Sequence, residues 1–171
     1  NVPLRLFPAY RDLTTLQGKP DTSERDLFFP DLERPAPPHP DAKILPRDEL
    51  VKYLQAQRTR FQRGMLAWLR SQPDGLKDMR QALDALHQVG SLLPEPRSLW
   101  WAAAGVIDGI VSGPEVNWLA NAKGLCNKID FQLRDLAAGA QAVNETLLRE
   151  VLYAIAKCKP STPRLKEIKQ L

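Results

Sequence analysis

The sequence predicts an all-α protein: an antiparallel bundle of about five helices over residues 47–160, with a proline-rich N-terminal arm packed on it. Apolar residues recur at steps of three and four through most of residues 48–159, which is the period of an amphipathic helix. No segment alternates with a period of two, so no sheet is expected. Nine of the fifteen prolines precede residue 47, which separates the arm in composition from the bundle.

The arm, residues 1–46, is expected to hold one short helix over about residues 8–17, stopped by Gly18. The stretch 35–40 (PAPPHP) must be extended, because proline fixes φ and has no amide hydrogen to donate. Phe28 and Phe29 make the preceding segment too apolar for a free linker. We therefore expect at least one of them to dock on the bundle, over the surface that contains Trp101.

The first two helices of the bundle are predicted over about residues 48–72 and from Asp74 to a point before Pro94. The first has an apolar stripe with helical spacing and stops before Pro73. The second starts at Asp74, a residue type that favours the N-cap, and repeats apolar residues in alternating steps of three and four. The stripes consist of Leu50, Leu54, Phe61, Met65, Trp68 and Leu69, and of Leu76, Met79, Leu83, Leu86 and Gly90.

Three further helices follow, and residues 161–171 are either the start of a linker or a further helix. A third helix over about 96–112 contains the small-residue run 102–105 (AAAG), which permits a close helix neighbour. Gly113-Pro114 marks the boundary with a fourth helix over about 115–138, and a fifth begins at the N-cap residue Asn144 and ends before Pro160. The short connections require neighbouring helices to run antiparallel. Inward positions are Leu99, Trp100, Ala103, Val106, Ile107 and Ile110; Leu119, Ala122, Cys126, Ile129, Leu133 and Leu136; and Leu147, Leu148, Val151, Leu152 and Ile155.

Composition excludes several classes of function. A net charge of +4 with scattered basic residues argues against nucleic-acid binding, and the longest apolar run is too short to insert in a membrane. Two cysteines without a Cys/His cluster predict neither a disulfide nor a metal site, and no cofactor motif is present. With no signal peptide in the sequence, we expect a cytoplasmic protein; because it opens on Asn1, we expect it to be a segment of a longer one.

His87 is the one candidate reactive group, because it lies within an amphipathic helix of a predicted bundle. A phosphoacceptor histidine needs solvent exposure and a neighbouring lysine, commonly as His-x-x-Lys-Gly. Here Gly90 and Ser91 follow instead, and Lys77 is ten residues away. His87 is therefore expected to be a boundary histidine, with a phosphoacceptor role as the alternative. His39, in the arm, has no partner that the sequence can assign and is interpreted as a linker residue.

Trp100 and Trp101 are adjacent on a helix, so their side chains diverge by about 100°. One should enter the core while the other reaches a second layer. We expect Trp101 to pack under the arm, with docking of a partner protein as the alternative.

Four segments carry a family resemblance: residues 4–13 (LRLFPAYRDL), 26–32 (DLFFPDL), 99–110 (LWWAAAGVIDGI) and 147–157 (LLREVLYAIAK). The chain resembles the N-terminal region of the large CheA-type hybrid histidine kinases of the twitching-motility chemosensory system (ChpA/PilL type). The resemblance implies a degenerate histidine phosphotransfer-like bundle that serves as a non-catalytic scaffold in a phosphorelay controlling type IV pili. The implied partners are other domains of the same kinase, response regulators and pilus chemosensory proteins. It supplies no active-site residue.

Overall fold

The computed structural model describes residues 28–32, 34–93, 98–141, 144–158 and 162–170. The chain divides into two compact units, residues 1–31 and 32–171. The short helix expected over residues 8–17 lies outside the described residues. In the first unit Phe28 is buried, at 3% exposure, whereas Phe29 is 67% exposed.

The second unit is a helical bundle, and the all-α prediction is confirmed. Its described residues form six α-helices and contain no strand. A single 3₁₀ turn, Gly90–Leu92, follows the second helix. The helices are α1 (Arg47–Leu69), α2 (Asp74–Gln88), α3 (Ser98–Val111), α4 (Val116–Ala137), α5 (Glu145–Lys157) and α6 (Pro163–Ile168).

Helices α1 and α2 form a tightly packed pair. Gly64 and Gly75 are both buried at their crossing, where a Cβ added to Gly64 would lie 2.6 Å from the carbonyl oxygen of Gly75. α1 ends at Leu69, three residues earlier than predicted, because Ser71 takes a positive φ of 61° that no helix can continue through. Asp74 is the first residue of α2 and makes no capping hydrogen bond, so its predicted N-cap role is wrong.

Helix α3 is the centre of the bundle. Every described position of this helix except Asp108 and Val111 is buried, and both Trp100 and Trp101 are inside. The small-residue run does admit close neighbours: a Cβ on Gly105 would lie 2.5 Å from Ile168 of α6 and 3.2 Å from Ile155 of α5. Residues 163–168 form α6, and its Leu165 and Ile168 are part of the core.

Helices α4 and α5 complete the bundle, and their ends follow local signals. The side-chain oxygen of Asn144 accepts a hydrogen bond from the amide of Leu147 at 3.1 Å, which confirms the predicted cap. Across the bundle, the buried carboxylate of Asp130 on α4 accepts hydrogen bonds from Arg58 and Gln62 of α1. Hydrogen bonds within the protein therefore satisfy the Asp130 carboxylate, as its burial requires.

Candidate functional site

The candidate site lies where the proline-rich segment, residues 35–43, meets the last two turns of α2. The backbone amide of Lys43 donates to the carbonyl oxygen of Gln88 at 2.8 Å, which fixes the end of the segment to the end of the helix. The hydroxyl of Tyr53 on α1 donates to the carbonyl oxygen of Ala85 at 3.3 Å, so α1 also contacts this turn. The segment is therefore part of the bundle rather than a tether.

His87 is one of the two side chains that hold this segment. Its Nε2 lies 2.8 Å from the carbonyl oxygen of Pro37. A carbonyl can only accept, so Nε2 carries the hydrogen and the lone pair of the neutral ring is on Nδ1. That Nδ1 atom is buried and has no hydrogen-bond partner. Burial is the main reason why the pKa of His87 is lowered, and the positive charge of Arg164 acts in the same direction.

His39 is the second of these side chains and was wrongly interpreted as a linker residue. Its Nδ1 accepts a hydrogen bond from the backbone amide of Asp41 at 2.9 Å. Nε2 must then carry the hydrogen, and it donates to the Asp84 carboxylate on α2 at 3.2 Å. The rings of His39 and His87 meet edge to face with their centres 5.1 Å apart. We call His39, Asp84 and His87 the histidine cluster.

Asp84 joins this cluster to two other helices. Besides the bond from His39, its carboxylate lies 3.4 Å from Arg164 of α6 and 3.6 Å from Arg80, one turn earlier on α2. Arg80 also bonds Asp108 of α3 at 2.8 Å. Burial by itself would raise the pKa of Asp84, but the hydrogen bonds from His39 and Arg164 and the charge of Arg164 outweigh it and lower the pKa.

The histidine cluster has the residue types of a metal site, since one ligand atom from each of its three members lies within 4.8 Å of the others. The surrounding hydrogen bonds do not suit a cation. Binding through Nε2 of His39 would move its hydrogen to Nδ1, directly against the amide of Asp41. Two guanidinium groups, of Arg80 and Arg164, already neutralise Asp84. The donors and acceptors present therefore fit a packed polar contact and do not fit a metal ion.

The contacts of the cluster also determine whether His87 has a ring nitrogen free to accept a phosphoryl group. A phosphoacceptor must present a free ring nitrogen to a second protein. His87 instead donates from Nε2 to the arm, and its Nδ1 is covered. The structure thus gives His87 an internal contact across 50 residues of sequence, where the sequence indicated only an edge position on the helix.

The predicted docking residues differ in their exposure. Trp101 is 4% exposed, so a partner could reach its indole only if the residues above it moved. Phe29 is open to solvent and Phe28 is not. Their docking role remains a prediction.

Sequence reasoning missed the pairing of His39 with Asp84 because 45 residues and a proline-rich stretch separate them. It also missed Arg164, which is 80 residues from Asp84. One signal was available: Asp84 lies one turn after Arg80 and one residue after Leu83, at the edge of the apolar stripe. Charges at the edge of a buried stripe usually have a partner on the neighbouring element.

The described residues form a helical bundle whose candidate histidine is engaged in an internal contact, and comparison with known families assigns the class of protein. Residues 46–171 match the family model described as the FimL scaffold protein second domain. Because this match covers most of the chain, the chain belongs to that family.

The relative found among curated proteins is the scaffold protein FimL of Pseudomonas aeruginosa (strain PAO1), which is 31% identical over 174 residues. The alignment covers 99% of this chain and 31% of the relative, so the chain spans about a third of that protein's length. No solved structure matches. Among the described residues, no helix has both the length and the apolar character needed to cross a membrane.

Proposed function

We propose that this chain is a non-catalytic docking domain of a cytoplasmic scaffold protein, in a chemosensory phosphorelay that controls type IV pilus motility. Two independent findings support the scaffold part: the family described by its scaffold function and the sequence resemblance to a degenerate phosphotransfer bundle. The phosphorelay and the pilus system rest on the resemblance alone. The proposed partners are response regulators and other chemosensory proteins.

The observation that carries the non-catalytic role is the geometry of His87. Its Nε2–H is bound to Pro37 and its Nδ1 is buried, so neither nitrogen can meet an incoming phosphoryl group without displacement of residues 35–43. Arg164, the cation that could take the role of the missing lysine, already forms an ion pair with Asp84. This supports a structural histidine over the alternative function, an active phosphotransfer domain with His87 as phosphoacceptor.

Nucleophilic chemistry at the cysteines has no support either. Burial raises the pKa of Cys126 to about 12, which leaves almost no thiolate at neutral pH. Burial also raises the pKa of Cys158, although the charge of Lys169 partly opposes this. Both residues are packing groups in the bundle.

The test is phosphotransfer from a labelled receiver domain. The protein is incubated with a receiver phosphorylated on its aspartate, beside an active histidine phosphotransfer domain as positive control. We expect no acid-labile, alkali-stable label on this chain while the control is labelled. Label that appears on the wild type and is lost in His87→Ala would overturn the proposal and establish the phosphotransfer alternative.

The parent protein is tested separately. The resemblance implies that the parent is a hybrid histidine kinase, whereas the family and the relative are described as scaffold proteins. The full open reading frame decides between these: a kinase core downstream would place this domain inside a kinase, and its absence would leave a free-standing scaffold. Either result is compatible with docking by this domain.

A further inference from the structure

One surface of the bundle is an open groove with a mixed apolar and polar lining, and it is unrelated to the histidine cluster. It is a groove of about 370 Å³ between the end of α1, the turn after it, the start of α2 and the first half of α4. We call it the α1–α4 groove. Its lining includes Trp68, Leu69, Pro73, Leu76, Leu119 and Lys123.

Exposed aliphatic side chains lie at the groove and beside it. Leu69 and Leu66 are each 53% exposed, although a stripe of apolar residues on α1 would be expected to face the core. Val116 is also exposed, one turn before Leu119 on α4. Large aliphatic side chains that gather around one concavity, instead of being scattered singly, are typical of a protein-binding surface.

The floor of the groove is held in a fixed shape. Ser71 takes the left-handed φ of 61°, a conformation that residues other than glycine adopt only rarely. Three backbone hydrogen bonds hold the turn in place: Arg70 to Leu66, Ser71 to Trp68, and Gln72 to Ala67, at 2.9 to 3.2 Å. A preformed groove binds with less loss of conformational entropy than one that must order on binding.

The charged side chain in the lining of the groove is that of Lys123. The ammonium group of Lys123 lies 5.8 Å from the centre of the Trp68 ring, and within the described part of the chain it has no carboxylate partner. Arg70 and Lys77 are exposed, follow lining residues directly and form no ion pair among the described residues either. Asp74 is the acid nearest in sequence to the lining. A lysine in the lining that has no carboxylate partner among the described residues favours a partner with an acidic flank.

We propose that the α1–α4 groove docks an amphipathic helix of a partner protein, with an apolar stripe facing Leu69, Leu76 and Leu119 and acidic residues facing Lys123 and its basic neighbours. An amphipathic helix binds such a groove by laying its apolar face into it while its polar flanks meet the charged rim. This inference deepens the proposed docking function and rests on it, because it names the surface and the chemistry of the partner.

The test uses two synthetic helical peptides with the same leucine stripe. One has glutamates on both flanks of the stripe and the other has lysines. Each is titrated into ¹⁵N-labelled protein, and binding is followed by the indole N–H resonance of Trp68 and the amides of residues 116–123. We expect the glutamate peptide to bind at least tenfold more tightly than the lysine peptide and to shift these resonances first.

Three variants sharpen the result. Lys123→Glu should weaken the glutamate peptide at least fivefold and improve the lysine peptide. Leu69→Glu, at an exposed position whose change leaves the core intact, should abolish binding of both. Lys52→Glu makes the same charge change on the exposed face of α1, away from the groove, and should leave binding unchanged.

Four outcomes would each overturn the proposal: no binding of the glutamate peptide, equal affinity for both peptides, shifts that map outside the groove, or a concentration-dependent dimer that Leu69→Glu abolishes. The last would make the groove a self-association site. These outcomes are distinguishable from failure of the proposed function, which is read from label on His87 and does not involve the groove.

Discussion

Gly64 of α1 and Gly75 of α2 lie in direct backbone contact, each facing the carbonyl group of the other. A Cβ on Gly64 would lie 2.6 Å from that carbonyl oxygen and 2.9 Å from the amide nitrogen of Met79. Neither neighbour can move as a side chain would, because both are backbone atoms of a helix. The two glycines therefore set the distance between the helices that carry the histidine cluster and the α1–α4 groove.

The first prediction concerns this contact. Gly64→Ala should lower the free energy of unfolding by about 1–3 kcal/mol, because the added methyl forces the helices apart. Gly124→Ala is the matched control: Gly124 is exposed in the middle of α4 with no atom within 4 Å of an added Cβ. It should raise stability by about 0.5–1 kcal/mol. Urea denaturation measures both, and equal effects of the two substitutions would contradict the close contact.

The second prediction concerns pH. His87 has a lowered pKa in the folded protein, so below 6.5 the unfolded chain binds a proton that the folded chain does not. Its contribution to stability is complete above 6.5 and is lost as pH falls toward the folded pKa. In His87→Gln, which keeps a donor for Pro37, the urea midpoint should fall less between pH 7.5 and pH 5.0 than in the wild type.

Asp84 affects stability in a separate pH range, so its titration does not change the comparison of wild type with His87→Gln. Its pKa is lowered from 3.8, and its contribution is therefore present above 3.8 and lost only as pH falls further. An identical fall in wild type and His87→Gln down to pH 5.0 would show that His87 titrates alike in both states.

The third prediction separates the two phenylalanines of the arm. Phe28→Ser should lower the melting temperature by several degrees, because a buried aromatic ring contributes roughly 1.5–3 kcal/mol by leaving water. Phe29→Ser, at an exposed position, should change it by about a degree or less. Differential scanning calorimetry decides, and an unchanged melting temperature in Phe28→Ser would make that residue dispensable for the fold.

The fourth prediction concerns the thiols. At pH 8 a thiol with a pKa of about 12 is ionised in roughly one molecule in ten thousand, so Cys126 should not react with Ellman's reagent in the folded protein. Cys158 is also buried and should react slowly. In guanidinium chloride both should react at once, giving two thiols per chain. Rapid reaction of one thiol without denaturant would identify an opening near that residue.

The sequence was sufficient for those parts of the fold that depend on neighbours along the chain. The stripe on α4 predicted the buried positions of Ala122, Cys126, Ile129, Leu133 and Leu136, because helical spacing alone determines which residues share a face. The Asn144 cap was predictable for the same reason, since its partner is three residues away. The end of α1 was not, because a positive φ at a serine has no sequence signal.

The site depends on contacts between distant residues and was therefore only half predictable. The sequence identified His87 as the residue to examine. It also placed this residue at the edge of the apolar stripe of α2. It could not show that residues 35–43 fold back onto that edge, which gives His39, Asp84 and Arg164 their partners. Leu69 illustrates the converse: helical spacing placed it on the apolar stripe of α1, and in the structure it is 53% exposed.

The packing of α6 over Gly105 has a consequence during synthesis of the protein. Leu165 and Ile168, the side chains of α6 that pack against the central helix α3, are synthesised about 60 residues after Gly105. At 5–20 residues per second the ribosome needs roughly 3–12 s for that stretch. Until α6 has been made, the face of α3 around Gly105 lacks the side chains that cover it in the folded protein.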